Sequence, residues 1–254
     1  MDNCRPKLTA MMVVRNEAGR YLKACLDHLS RYVDEMVILD DASTDATYEI
    51  CAGYPKVKVL ERNKRPLFWK NEYALRQKLW EMTKSTQPEW VLAIDADEIF
   101  EDRIIYERDR LLNDKYYWVA FRLFEFWGSF TCYRVDKMWN PYHRFGIYIF
   151  RYIPAFPYRW REQPLHCGRV PCNLWHFDGL YSDIRLRHYG WANPAEHLIK
   201  YRRYMARDPR GIYSPLSHYQ SILDPDPVLE EWEDRPLTVA KNEEKPFKKG
   251  RIYN

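Results

Sequence analysis

Three apolar runs in the first hundred residues each end in charge. LTAMMVV (8–14) meets Arg15–Asn16–Glu17, EMVIL (35–39) meets Asp40–Asp41, and WVLAI (90–94) meets Asp95–Ala96–Asp97–Glu98. An apolar run with no polar alternation is what a strand buried on both faces requires. VKVLE (57–61) reads as a further short strand. Between the runs the period changes. AGRYLKACLDHLSRYV sets Tyr21, Leu22, Cys25, Leu26 and Leu29 at helical spacing. STDATYEICAGY opens on Ser43 or Thr44 as an N-cap and closes on Gly53, and WKNEYALRQKLWEMTK (69–84) predicts a long helix. Strands alternating with helices predict βαβ units: an α/β fold with a Rossmann-like, mostly parallel sheet flanked by helices. Ligands of such sheets bind beyond the carboxyl ends of the strands. The three charged ends are therefore expected to share one edge.

The rest of the chain changes character. Residues 116–190 are rich in Tyr, Trp, His, Arg and Pro, with strand-like YYWVAFRLFEFW and GIYIFRYI, and Pro194 suits the first turn of a closing helix over 194–206. No Gly/Ser linker or repeat divides the 254 residues. The expectation is one domain: 1–113 as a nucleotide-binding half, 114–210 as a smaller mixed half that supplies substrate contacts, and 211–254 as a C-terminal extension ending in the basic KNEEKPFKKGRIYN. Net charge is +4, too mild for a nucleic-acid binder. The six cysteines form no CxxC pair, so reduced thiols are expected rather than a zinc site or disulfide framework. No apolar stretch reaches membrane-spanning length and the N-terminal run is too short for a signal peptide. The expected location is cytoplasmic, and nothing in the sequence fixes an oligomeric state.

Asp95 and Asp97 pose a chemical problem. Clustered carboxylates repel unless a cation, hydrogen bonds or raised pKa values relieve them. At the end of an extended strand, residues i and i+2 face one side. Two carboxylates there make a hard oxygen site for Mg2+ or Mn2+. The competing reading is a helix start at EIFED, since acids favour first turns. In ILDDASTDAT (38–47), two acids before a Ser/Thr-rich turn can accept hydrogen bonds from a base or ribose, or can simply cap a helix. Neither GxxxxGKS nor GxGxxG is present.

Taken in order, VVRNEAGRYLKACLDHLSRYVDEMVILDDASTDATYEI, NEYALRQKLWEM and EWVLAIDADEIFE resemble the family 2 glycosyltransferases of GT-A fold: a strand followed by (K/R)NE, a D-D-x-S-x-D turn, an Arg-containing helix and a D-x-D. HYGW and KYRRYMARDP resemble C-terminal pieces of bacterial members. The resemblance implies transfer of a hexosyl-type group from a nucleotide-sugar donor, expected to be UDP-linked, to a carbohydrate, lipid-linked or protein acceptor. It implies that Val14, Arg15, Asn16 and Glu17 floor the donor pocket and that Asp41 contacts the base or ribose. Arg76 would lie near the nucleotide, Asp95 would meet the ribose or donor sugar, and Asp97 would ligate a divalent cation, Mn2+ or Mg2+. His188 is a candidate further ligand, with His166 and His176 as weaker rivals.

Inversion needs a base near the acceptor. Many members carry His-Glu after an FR strand; here His166–Cys167 stands at that point. Glu125, Asp136, Glu162 and Asp178 are the candidate bases, while a retaining mechanism needs none of them. Trp127, Tyr142, Trp160 and Trp175 could stack on acceptor sugar rings and, with Arg134, Arg144 and Arg159, form a cleft for a polar or anionic acceptor. Two other readings stand beside transfer: a nucleotidyltransferase, or a catalytically idle carbohydrate-binding relative.

Overall fold

The computed structural model describes residues 5–235. Cys4 and the basic segment 241–254 lie outside them, and the expected extension is described as far as residue 235.

The apolar runs form the strands expected of them. β1 (Leu8–Val14), β2 (Glu35–Asp40), β3 (Val57–Arg62) and β4 (Trp90–Ala93) lie in the order β3-β2-β1-β4, all parallel. Their lack of alternation has a direct cause: odd and even residues feed two different cores. Leu8, Ala10, Met12 and Val14 of β1 pack with Met36, Ile38 and Leu92 on one face, under helix α1 (Leu22–Leu29). Met11, Val37, Leu39, Val91 and Ala93 pack on the other, against Leu75, Leu79 and Trp80 of helix α3 (Glu72–Lys84). Each fully buried side chain of this size contributes about 1.5–3 kcal/mol of transfer free energy, so both faces hold the parallel order.

The helices begin later than the sequence predicts. Helix α2 spans Thr47–Ala52 rather than starting behind Ser43 or Thr44, because those two residues bond to the loop after β1 instead. Glu98 does not start a helix: Glu98–Phe100 is strand β5, and α4 begins at Arg103 (Arg103–Leu111).

Beyond β4 the sheet turns mixed. β6 (Trp118–Trp127) and β8 (Gly146–Arg151) extend it antiparallel, β7 (Cys132–Arg134) continues from β6, and β9 (Gly179–Trp191) pairs parallel with β6 and antiparallel with β5. The closing helix α5 (His197–Arg207) follows a short 3-10 turn at Pro194–Glu196, and α6 spans Leu216–Gln220. β10 (Leu229–Glu231) lies antiparallel on β7. The sheet thus runs through both expected halves. Among the described residues no helix is long and apolar enough to cross a membrane.

Candidate active site

A cleft of about 1110 Å3 opens at the carboxyl ends of β1, β2 and β4. One side is a pair of interlocked loops. Asn16 has φ +53° and Ala42 φ +60°, conformations that L-residues rarely adopt. Each loop holds the other in this shape. Ser43 Oγ accepts from Asn16 N at 3.0 Å, Thr44 N donates to Asn16 Oδ1 at 2.8 Å, and Thr47 Oγ1 accepts from Glu17 N at 2.7 Å. The RNE and DDASTDAT motifs are therefore two halves of one structure.

Asp41 is fully buried, and its carboxylate accepts from Asn63 Nδ2 at 2.9 Å, Leu67 N at 2.8 Å and Phe68 N at 2.9 Å. Its oxygens shape the segment that presents Phe68 and Trp69 to the cleft. Asp40 accepts from Ser43 N and Arg62 Nε in the same manner.

The acidic knot after β4 is relieved in two ways. Strand β4 ends at Ala93, so Asp95 and Asp97 sit in a turn and diverge rather than sharing a strand face. Asp95 lies 3.6 Å from Arg76 Nη1 and 3.2 Å from Arg169 Nη2. Glu98 is fully buried; its carboxylate accepts from Asp95 N at 2.9 Å and pairs with Arg169. Burial disfavours the charge on Arg169, but Asp95 and Glu98 outweigh it and raise its pKa well above normal. Two arginines thus answer two of the three acids.

Asp97 meets a histidine instead. Its Oδ2 lies 3.4 Å from His188 Nε2. The β6–β9 register sets Glu125 opposite His188, and the Glu125 carboxylate binds His188 Nδ1. Burial would lower the His188 pKa, yet Glu125 and Asp97 raise it well above the ordinary value. Burial likewise opposes ionisation of Asp97, and His188 overcomes this and holds it below the usual carboxylate range. With no cation present, two anions therefore flank one imidazolium, Glu125 at Nδ1 and Asp97 at Nε2. Gly190 leaves the room: a Cβ there would lie 2.5 Å from His188 Nε2 and 2.9 Å from Asp97 Oδ2.

These residues fit a divalent cation. An imidazole nitrogen and a carboxylate oxygen converge on one point, and a second carboxylate orients the ring in the usual carboxylate–histidine–metal relation. Among the described residues no group of three or more His, Cys, Asp or Glu forms a ready cage. An all-protein cage is not what Mg2+ demands; such ions retain waters and take substrate phosphate oxygens.

Val14, Arg15, Asn16, Glu17, Asp41, Arg76, Asp95, Asp97, Glu125 and His188 all line this cleft. Burial, aided by Asp97 and opposed by Arg20, pushes the Glu17 carboxyl up to about 7. Asp136, Glu162 and Asp178 are not on the cleft wall: Asp136 is tied to Arg134, and Glu162 and Asp178 face solvent. His176 is exposed away from the cleft, whereas His166 lines it. The four expected stacking aromatics also lie elsewhere. Trp127 and Trp160 are core residues, Trp175 packs on Trp118, and Tyr142 is exposed near Tyr133. The cleft offers Phe68, Trp69, Trp139, Trp191 and Tyr204 in their place.

Sequence reasoning passed over Arg169, Gly190 and Lys200. Lys200 of α5 donates to Gly190 O and lies 4.6 Å from the Trp191 ring centre. Arg169 follows an irregular stretch with no periodic signal, and Gly190 was visible only as part of HYGW.

Residues 9–168 match the family model for glycosyl transferase family 2. An uncharacterised protein of Mycobacterium tuberculosis is 29% identical over 219 residues, covering 80% of this chain and 51% of its own length. The SPbeta prophage-derived glycosyltransferase SunS of Bacillus subtilis is 33% identical over 97 residues, covering 37% of this chain and 21% of its own. The chain spans about half the length of the first of these relatives. Among solved structures, S. aureus TarS gives a TM-score of 0.49 at 14% identity, over 85% of this chain and 42% of that one. Glucosyl-3-phosphoglycerate synthase from Mycobacterium tuberculosis, solved with Mn2+ and uridine-diphosphate-glucose, gives 0.34 at 19%, over 47% and 44%. With 9–168 of its 254 residues matched, the chain belongs to glycosyl transferase family 2.

Proposed function

We propose that the chain catalyses metal-dependent transfer of a sugar from a nucleotide-sugar donor, UDP-linked, to an acceptor hydroxyl, with inversion at the anomeric carbon. The observation that carries this reading is the Asp97–His188 pair, backed by Glu125 and spaced by Gly190, beside an Asp95 already balanced by Arg76 and Arg169.

Asp97 and His188 would hold Mn2+ or Mg2+, with Glu125 fixing the imidazole so that Nε2 faces the ion. A divalent ion there supplies positive charge to a nucleoside diphosphate as it departs. Asp95, steadied by two guanidiniums, offers its carboxylate to hydroxyls of the ribose or donor sugar. Val14, Arg15, Asn16 and Glu17 floor the nucleotide pocket. Asp41 acts through the loop it orders, since its oxygens are engaged by Asn63, Leu67 and Phe68. Residues 1–113 then supply the nucleotide pocket, while 114–210 complete the metal site through His188 and Glu125 and face the acceptor, within one domain.

Calorimetry of UDP with and without Mn2+ tests the reading. Wild type is expected to bind UDP more tightly with Mn2+, and Asp97→Ala to lose that increment. Equal binding under all four conditions rejects the metal assignment.

A further inference from the structure

The cleft that holds the metal pair also holds a second polar constellation that the donor-side chemistry leaves unused. His166, Tyr204 and Tyr219 all line the cleft. His166 Nε2 lies 3.1 Å from the Tyr219 hydroxyl, and that hydroxyl donates to Asp208 Oδ2 at 3.0 Å. Asp208 is 1% exposed and also accepts from the backbone N–H groups of Ile212, Tyr213 and Ser214. Burial opposes its ionisation, but these donors hold its carboxyl below the usual range.

The hydrogen-bond directions follow from this chain. An ionised carboxylate only accepts, so the Tyr219 proton points at Asp208. The Tyr219 oxygen must then accept from His166, which puts the imidazole proton on Nε2 and leaves the lone pair on Nδ1. The tautomer is assigned by the network.

The backbone at His166 is built for this ring. His166 has φ +57°, a left-handed conformation that persists only when its surroundings enforce it. Gln163 Nε2 enforces it, donating to Leu165 O at 2.8 Å and His166 O at 2.6 Å. The ring is stacked on Tyr204 at 5.7 Å and on Tyr219 at 6.3 Å, and the two tyrosines stack on each other at 5.1 Å. A histidine that merely filled space would need neither a strained peptide nor a hydroxyl–carboxylate chain behind it.

We propose that His166 is the general base for the acceptor hydroxyl, with Tyr219 and Asp208 as positioning residues that keep Nδ1 free for the proton. The inference rests on the transferase reading above. In the step, the acceptor oxygen forms its bond to the anomeric carbon as the bond from that carbon to the diphosphate oxygen breaks. The electron pair of the broken bond leaves with the nucleoside diphosphate. The acceptor proton moves to His166 Nδ1, giving an imidazolium that later returns it to water. Burial keeps the resting ring neutral by lowering its pKa, against the opposing charges of Glu72 and Asp208. Glu72 on α3, Asp208 at the end of α5, Tyr204 on α5, and His218 and Tyr219 on α6 are the titratable groups that surround it.

Two measurements test this. The first uses UDP-glucose with Mn2+ and compares water with azide as the acceptor, because azide carries no proton to remove. His166→Gln keeps an N–H for Tyr219 but has no base. Its hydrolysis of UDP-glucose is expected to fall about 10²–10⁴-fold, while glucosyl azide formation stays near wild type. Tyr219→Phe should lower kcat and leave the donor KM unchanged. Parallel loss of both reactions in His166→Gln, or loss of neither, overturns the proposal. The second measurement needs no turnover: 15N NMR of histidine-labelled protein, with the His166 signals identified by their absence in His166→Gln. Protonated Nε2 and bare Nδ1 are expected, with the preference weakened in Tyr219→Phe. A proton on Nδ1, or a tautomer indifferent to Tyr219, overturns the proposal. A wild-type protein that binds no UDP rejects the donor reading instead, and the tautomer result still judges His166.

Discussion

At the ends of β1 and β2 the polar groups answer one another across adjacent loops, Ser43 for Asn16 and Thr47 for Glu17, through neutral hydrogen bonds of 2.7–3.0 Å. Around the acids after β4 the partners come from far along the chain and carry charge. Arg169 reaches Asp95 and Glu98 across more than seventy residues, and His188 joins Asp97 to Glu125. Neutral bonds beside solvent contribute about 0.5–1.5 kcal/mol each and mainly set shape. Buried ions are different: a lost partner leaves an uncompensated charge at a cost of about 3–5 kcal/mol. One side of the cleft is a mould, and the other is a balance of charges.

The sharpest way to break that contrast is at Arg169. Arg169→Met leaves fully buried Glu98 without its cation. Unfolding free energy is expected to drop by about 3 kcal/mol, read as a lower urea midpoint, and Arg169→Met with Glu98→Gln should recover part of it. An unchanged midpoint would mean that solvent already screens the pair.

Gly190→Ala tests the space rather than the charge. The added methyl meets only side-chain ends, so the fold should survive while His188 Nε2 and Asp97 Oδ2 are pushed apart. Displacements of about 1 Å in such a site cost about 10²-fold in turnover. Mn2+-dependent release of UDP from UDP-glucose should fall by that factor with the melting temperature nearly kept. Full activity would show that the pair does not act at this spacing.

Glu125→Gln is milder. It retains a polar partner for His188 Nδ1 but removes the negative charge behind the ring. Mn2+ affinity, measured by calorimetry, is expected to weaken about 10–100-fold. If Mn2+ affinity holds while turnover collapses, Glu125 touches the acceptor instead of orienting His188.

The same contrast explains what could be read from sequence. The parallel strands were legible because each apolar run serves two cores, a demand that leaves no room for polar alternation. The RNE and DDASTDAT loops were legible as motifs because their contacts are between segments that follow adjacent strands. Their detail was not, since Ser43 chose Asn16 over a capping role. Glu98 looked like a helix start because nothing local reveals that residue 188, ninety positions away, pairs with it in a sheet. His188 stood out in HYGW, but its tie to Glu125 depends on a β6–β9 register that no single segment encodes. The aromatics of the second half misled because aromatic content carries no sign of whether a ring fills a core or a cleft.

Acid sensitivity offers a control outside both sides of the cleft. His28 on α1 is 8% exposed, and burial, with help from Arg187 and Arg31 against Asp102, lowers its pKa from 6.5 to about 4. A depressed folded-state pKa means that the unfolded chain takes up the proton first. The stability is therefore complete above 6.5 and is lost as pH falls from 6.5 toward 4. Between pH 7.5 and 5 the loss through this group should be about 1–2 kcal/mol. His28→Phe should flatten that part of the urea-midpoint profile without altering Mn2+ affinity at pH 7.5. An equally steep profile in the variant would assign the sensitivity to other groups.

The smallest effect is expected at Ser43→Ala, which removes one neutral bond, that from Asn16 N, and leaves Thr44 N on Asn16 Oδ1. Stability should fall by about 1 kcal/mol. The loop that carries φ +53° at Asn16 then has one restraint fewer, so UDP should bind a few-fold more weakly. Mn2+ affinity should be untouched, because no charge at Asp97 or His188 depends on Ser43. Calorimetry of both ligands on this one variant separates the mould from the charge balance. A parallel loss of Mn2+ would show that the two sides are coupled, and that the shape of the β1 and β2 loops helps set the position of Asp97.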